Sequence, residues 1–526
     1  MSARDAAPPG TPSGADLLCD ALVANGVATC FANPGTSEMH FVAALDRRPE
    51  IHCSLALFEG VATGAADGYA RVAGKPAAVL LHTGPGLGNG LANLHNARRA
   101  GTPMLVVVGD HATHHLRHDA PLTSDIDAIA GACAIDVRRV RSTAAIPRDV
   151  AASLSAALTK RGPAVLILPA DLSWAAAPAR RGALPLAKRA RARFDREALD
   201  AFAHALKRGR KAAILLGGEA LRPDALETAS AIAAATGARL AAPTFCENLA
   251  RGDGRPAIDR VPYFPDPAEA FLAGLEAVAV VGGRAPVNFF GYPGKASLPL
   301  PPRCRVLAIA ERGDDVVGAL GALARAVGAI AAPRQPPRTP PPAPAPGKLD
   351  DHAVGAVVAR AIPADAIVVE EALTSAPMFF AQSQASARHD YLQLTGGAIG
   401  AGLPLALGAG MAARGRKVVA LQADGSAMYT VQALWSMARE NVDATVVVFS
   451  NRAYRILYME MTNAGAPPAG VNARAMFDLD RPPLDFAAMA TGMGVPATRV
   501  DTLQGFAEAF GKALKAHGPR LIEAVV

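Results

Sequence analysis

The apolar run "KVVALQA" ends against Asp424, Gly425 and Ser426, and 27 positions after that aspartate Asn451 closes a second apolar run, "ATVVVFS". If the two runs are neighbouring strands of a parallel sheet, a carboxylate and an amide oxygen meet at the edge where such sheets bind ligands. With a backbone carbonyl just beyond Asn451 they could share one hard cation, since Mg²⁺ is usually held by a few protein oxygens together with phosphate and water. Gly425 lets the backbone turn closely. Ser426 opens a helix predicted to run through "MYTVQALWSMAREN", whose free N–H groups favour a phosphate. Taken singly, Asp424 is an ordinary helix cap and Asn451 an ordinary turn residue. Their spacing is what joins them.

Two more titratable residues sit beside apolar runs. Glu59 lies in "LALFEGVATG", a carboxylate among apolar neighbours, where desolvation favours the protonated form. His82 follows "AAVLL" and is the best acid–base candidate, because imidazole changes charge near neutral pH; the alternative is a satisfied histidine of the core. The four histidines of "DHATHHLRH" (His111, His114, His115, His118) match no standard zinc spacing and read as a surface loop. "HTGPGLGNG" fails as a dinucleotide fingerprint. Counted from Gly84, Asn89 takes the third glycine place, and no acidic residue follows at the expected offset.

The elements that must position these residues are legible in the same way. A chain of 526 residues needs several cores. Short Leu- and Val-rich runs alternate with helical segments throughout: "AAVLLH", "MLVVVGD" and "AVLILPA", then "AAILLGG", "AVAVVGG" and "RVLAIA", then "AIVVEE", "KVVALQA" and "ATVVVFSN". Continuous apolar strands separated by helices indicate parallel sheets covered on both faces. The basic, Pro-containing stretch at about 175–194 and "APRQPPRTPPPAPAPGK" (332–348), with eight prolines in seventeen residues, punctuate the chain. Three doubly wound α/β domains are expected, over 14–175, 195–331 and 349–526. No apolar run approaches the roughly 20 residues of a membrane span. "MSARDAAPPGTPSG" has no apolar h-region and reads as a disordered leader, so cytoplasm is the expected location. Six scattered cysteines without a C-x-x-C pair argue against a disulfide framework or zinc site. The formal charge of +7 is spread without interleaved aromatics, which argues against nucleic acid.

Asp-Gly-Ser, about 25 residues, then Asn resembles the diphosphate–metal motif of thiamine-diphosphate-dependent enzymes, with Ala423 where that family usually has Gly. "FANPGTSEMHF" (31–41) and "FEGVATGAADGYARVAGKPAAVLLHTGPGLGN" (58–89) resemble the pyrimidine-binding domain of the same family, and "TGGAIGAGLP" (395–404) resembles the segment beside the aminopyrimidine. Within the branch of acetolactate synthase and benzoylformate decarboxylase, "VATGAADGYAR" is similar to the synthases, and His82 in "LLHTGPGLGN" to the decarboxylase.

The resemblance implies an enzyme using thiamine diphosphate and Mg²⁺ on a 2-oxo acid, losing CO₂ and then releasing an aldehyde or joining a second carbonyl compound. It implies that Glu59 donates to N1′ of the aminopyrimidine, that the Gly397 carbonyl receives the 4′-amino group, and that Ile399 supports the cofactor's bend. Thr374, Ser375, Gly425 and Ser426 would approach the diphosphate. Asp424, Asn451 and the Ala453 carbonyl would ligate the metal. Thr36, His82, Phe289, Phe290 and Arg455 would border the substrate. Phe289, Phe290 and Gly291 stand where benzoylformate decarboxylase has a second catalytic histidine, and "RAYRILYMEMTN" lacks the synthases' tryptophan-containing segment. No flavin signature supports FAD. The family's sharing of sites between subunits implies a homodimer or homotetramer. Two alternatives are a catalytic acetolactate synthase subunit and a non-catalytic cofactor-binding or regulatory homologue.

Overall fold

A computed structural model describes residues 11–178, 184–188, 193–331, 339, 343–344 and 347–526. Residues 1–10 of the expected leader, parts of the first punctuating stretch and most of the second lie outside them. The apolar runs form three sheets. The first contains β1 (Thr29–Asn33), β2 (His52–Leu55), β3 (Ala77–His82), β4 (Met104–Asp110), β5 (Asp136–Arg139) and β6 (Pro163–Pro169), in the order β2-β1-β3-β4-β6-β5 and parallel throughout. The second contains β7 (Ala212–Leu216), β8 (Arg239–Ala242), β10 (Asp259–Arg260), β11 (Ala277–Val281) and β12 (Arg305–Ala310), in the order β10-β8-β7-β11-β12. The third orders β17 (Ala497–Val500), β18 (Arg520–Val525), β16 (Ala444–Ser450), β15 (Val418–Ala423), β13 (Ala366–Glu371), β14 (His389–Gln393) and β9 (Leu249–Arg251). Every residue of β4, β6, β13, β15 and β16 is buried, as a strand covered on both faces requires. The architecture is the mixed α/β, three-sheet fold that the alternation predicts.

Two details depart from the sequence pattern. The strand β9 belongs by sequence to the middle block, yet it pairs antiparallel with β14 of the third sheet, Leu249 against Tyr391 and Arg251 against His389. It covers an otherwise open ladder. Buried Arg251 fastens it by donating to Ser383 Oγ (2.7 Å) and the Phe380 carbonyl (2.6 Å). The second departure is the helix expected after Ser426. It is broken into Asp424–Ala427 and Ala433–Arg439. The interruption turns Tyr429 outward and lets the buried Thr430 hydroxyl donate to the Gly400 carbonyl (3.0 Å).

The first and third sheets are joined by backbones in contact. Helix Glu59–Ala73 lies on helix Gly402–Ala412, and a methyl group on Gly408 would sit 1.8 Å from the Ala65 carbonyl oxygen, one on Gly68 2.2 Å from that of Leu405. Arg71 pairs with Asp67 (2.5 Å) and reaches across to the carbonyl of Gln393 (2.6 Å) and the hydroxyl of Thr395 (3.2 Å). Gly408→Ala is therefore expected to destabilise the chain by about 1–3 kcal/mol, as overpacking does. A thermal melt would read this as a lower Tm, whereas an unchanged Tm would mean that the helices part without cost. Among the described residues no helix is long and apolar enough to cross a membrane.

Candidate active site

At the carboxyl end of the first sheet, β3 delivers His82 and β1 leads into the short turn Thr36–Glu38. His82 Nδ1 faces Glu38 Oε2 at 2.9 Å and Ser37 Oγ at 3.0 Å. Glu38 is buried beside β4, where any side chain on Gly109 would strike its carboxylate. It also accepts the Gly35 N–H (2.8 Å). A carboxylate on Nδ1 sets that nitrogen as the donor and leaves Nε2 free to exchange a proton. Gly35 is needed here, because a β-carbon at that position would lie 2.2 Å from the imidazole ring.

Glu59 opens helix Glu59–Ala73 close by, its carboxylate taking a hydrogen bond from Asn89 Nδ2 (3.1 Å). Gly86 separates it from His82: a methyl group there would be 3.4 Å from Glu59 Oε1 and 3.6 Å from His82 Cβ. Of the glycines that failed as a dinucleotide motif, Gly86 is explained by close packing between these two side chains, while Gly84 packs against Ser124 and Gly90 against Thr63. Glu59 is half-buried in the single chain, so the apolar enclosure expected from its neighbours in sequence is only partial.

The second cluster lies at the carboxyl end of the third sheet. Because β15 and β16 are adjacent, with Ala423 opposite Phe449, Asp424 and Asn451 emerge side by side. Asp424 is 1% exposed; burial pushes its carboxyl above the ordinary range, while hydrogen bonds from the N–H groups of Gly425 (2.8 Å) and Arg452 (2.6 Å) pull the other way. Asn451 Oδ1 accepts the Ala453 N–H (3.0 Å). Ala453 forms a non-hydrogen-bonded antiparallel pair with Asp478, the bonds falling on either side, from Tyr454 N–H to Phe477 and from Leu479 N–H to Arg452. In such a pair the residue's own N–H and C=O point away from the partner strand. The carbonyl of Ala453 is therefore directed to the side of Asn451. Ser375, after β13, is buried and its hydroxyl has no partner. Thr374 beside it is half-buried.

Three non-glycine residues hold left-handed backbone at the strand exits: Thr83 (φ 51°) after β3, Leu373 (φ 47°) after β13 and Arg452 (φ 57°) after β16. Such conformations cost of order 1 kcal/mol or more and gather where surrounding structure over-determines them.

The segment 395–402 crosses between these clusters and the middle block. Gly397 has φ 77° and is covered by the ring of Phe289; a β-carbon on Gly397 would be 2.5 Å from that ring. Phe289 in turn packs against Phe245 (5.8 Å), Tyr263 (5.0 Å) and Phe290 (5.2 Å), an aromatic wall with both Phe289 and Phe290 partly exposed. Ile399 is partly buried against the core.

Several expectations need correction. Arg455 does not stand free for an anion, because it is bonded to Asp351. Thr36 is exposed, and its neighbour Ser37 makes the contact to His82. The Ser426 hydroxyl is spent on the carbonyls of Ala423 (3.1 Å) and Glu371 (3.2 Å), so of the three hydroxyls expected at the diphosphate only those of Thr374 and Ser375 stay candidates. The rings of His111, His115 and His118 line up 5.6 Å apart, but among the described residues no three His, Cys, Asp or Glu side chains converge on a metal position. Sequence reading also missed Glu38 and Glu371. The first was hidden in a polar turn, while the second had a visible signal in two acids closing the buried strand "AIVVEE".

Residues 12–130 match the family model for the N-terminal TPP binding domain of thiamine pyrophosphate enzymes, and residues 373–524 match the model for their C-terminal TPP binding domain. The chain belongs to the thiamine pyrophosphate enzyme family. It is 48% identical to IlvX of Mycobacterium tuberculosis, named after the acetolactate synthase large subunits, over 98% of this chain and 99% of that one. It is 30% identical to benzoylformate decarboxylase of Pseudomonas aeruginosa over 95% and 96%. The thiamine diphosphate-dependent 4-hydroxybenzoylformate decarboxylase of Rhodococcus jostii RHA1 superposes with a TM-score of 0.83 at 26% identity, covering 98% and 99% of the two chains. The protein is thus a thiamine-diphosphate-dependent enzyme of the acetolactate synthase and benzoylformate decarboxylase type.

Proposed function

We propose that this enzyme decarboxylates a 2-oxo acid carrying a bulky apolar or aryl group, with Mg²⁺ anchoring the diphosphate of its cofactor and His82 moving the proton. The observation that carries this reading is the buried Glu38 on His82 Nδ1, which leaves Nε2 available near Glu59 at the same sheet edge.

The donor set suits Mg²⁺: one buried carboxylate, one amide oxygen and one outward carbonyl, from Asp424, Asn451 and Ala453, leave positions for phosphate and water. The unpartnered hydroxyl of Ser375 and half-buried Thr374 suit the diphosphate. When bound, the cofactor supplies a carbon that stabilises the carbanion left by loss of CO₂. Glu59 would donate a hydrogen bond to the aminopyrimidine, Gly397 and Ile399 would orient that ring, and the wall of Phe245, Tyr263, Phe289 and Phe290 would shield the substrate's side chain from water. Membership of a family whose sites are shared between subunits supports a homodimer or homotetramer.

Flavin is not part of this reading. Glu247 accepts the Gly218 N–H (3.2 Å), pairs with Arg312 and lines two cavities of about 410 and 200 Å³ beside the middle sheet.

A panel of 2-oxo acids, with CO₂, aldehyde and acetolactate measured together, tests the proposal. Aldehyde and CO₂ from aryl substrates are expected. Acetolactate from pyruvate as the sole product would favour a synthase, and no turnover across the panel a non-catalytic role. Glu38→Gln should lower turnover about 10- to 100-fold, the worth of a charge-assisted hydrogen bond of roughly 1.5–3 kcal/mol. Turnover equal to wild type would remove Glu38 from the mechanism.

A further inference from the structure

Glu371 ends β13 fully buried, and among the described residues no ion pair engages it. Burial pushes its carboxyl up to about 7, against the pull of three backbone hydrogen bonds. Oε1 accepts the N–H groups of Gly400 (2.8 Å) and Ala401 (3.1 Å), and Oε2 accepts that of Gly402 (2.7 Å). A buried carboxylate is costly unless its oxygens are bonded, so three donors converging on one side chain from another strand constitute a built contact. They also solve a local problem. Helix Gly402–Ala412 is buried over its first ten residues, and its N-cap, Ala401, has no side chain with which to bond the opening N–H groups. Glu371 acts as that cap from the neighbouring sheet.

The same contact restrains the segment just upstream. Gly397 and Gly400 both hold left-handed backbone (φ 77° and 91°), a conformation glycine does not enforce by itself. The far end is held by Asn96, whose Oδ1 accepts from Gly396 (3.1 Å) and Ala398 (3.3 Å) and whose Nδ2 donates to the Ala398 carbonyl (2.8 Å). The Gly400 carbonyl receives Asn93 (3.1 Å) and Thr430 (3.0 Å). Among the described residues only Glu371 grips the N–H side of residues 400–402.

We propose that Glu371 is a positioning residue for the cofactor's reactive half, fixing the backbone of 397–402 from beneath so that the Gly397 carbonyl and the Ile399 side chain keep their places. This rests on the functional reading above. Glu371→Gln is nearly isosteric but turns an N–H₂ toward the Gly402 N–H, so that two donors oppose each other. The readout that a merely structural role would not move is hydrogen–deuterium exchange at the thiazolium C2 of thiamine diphosphate bound to the full-length protein with Mg²⁺. Exchange in Glu371→Gln is expected to slow about 10²-fold, the scale of a 1 Å misplacement, with cofactor affinity retained. Backbone amide exchange at 400–402 in the cofactor-free chain should quicken. Glu371→Asp, which keeps the charge with a shorter reach, should be intermediate, and serves in its place if the Gln variant folds poorly. Wild-type C2 exchange in the variants, unaltered amides at 400–402, or loss of cofactor binding in parallel with the rate would each overturn the assignment. A wild-type protein that fails to accelerate C2 exchange over free cofactor would instead bring down the functional reading, and this assignment with it.

Discussion

Glu59→Gln is expected to lower turnover by about 10²- to 10⁴-fold while thiamine diphosphate stays bound. Glu59 is the first residue of its helix, and a carboxylate there gains only about 0.3–1 kcal/mol from the helix dipole. A Gln of the same length keeps an oxygen for Asn89 Nδ2 and should therefore barely change the Tm. A rate loss of that size corresponds to about 3–5 kcal/mol in the barrier. The contrast between a large kinetic and a small stability effect separates the chemical role from the capping role. Steady-state turnover at saturating cofactor, beside equilibrium dialysis of the cofactor, measures both. Undiminished turnover would leave Glu59 a helix cap.

Asp424→Ala should abolish metal-dependent retention of the cofactor. The side chain removed is a buried carboxylate that also accepts the Arg452 N–H, so its loss takes away the metal's charged ligand and frees the backbone between Asn451 and Ala453. The loss should exceed the roughly 10- to 100-fold typical of removing a residue that only supports a ligand. Asp424→Asn separates the two parts: it keeps an oxygen for Arg452 and loses the charge, and weakened retention there assigns the effect to the cation. Gel filtration with Mg²⁺ or with chelator, followed by assay of carried cofactor, gives the answer. Equal retention by wild type in both buffers would refute a metal at this edge.

The strand runs were readable because a strand buried on both faces must be apolar at nearly every position, a signal confined to five to seven adjacent residues. The meeting of Asp424 with Asn451 was readable for a related reason. Consecutive strands joined by one crossover tend to be neighbours, and β15 and β16 are. Nothing local announced that β9 would leave the middle block for the edge of the third sheet, since three residues carry no periodicity and an open ladder accepts almost any of them. The broken helix after Ser426 was equally hidden: helix-compatible residues yielded to a tertiary hydrogen bond from Thr430 to Gly400.

For the site, local patterning by itself determined which residue types stand at the strand exits, and so the candidates Glu59, His82, Asp424 and Asn451. Tertiary structure alone decided the partners of its charged groups. Glu38 meets His82 across 44 positions, and Asp351 claims Arg455 across 104. The physical reason is one of range. Burial pattern and backbone turn are set by adjacent residues, whereas a charge is satisfied by whatever donor or counter-ion the packed sheets bring within about 3 Å, at any separation along the chain.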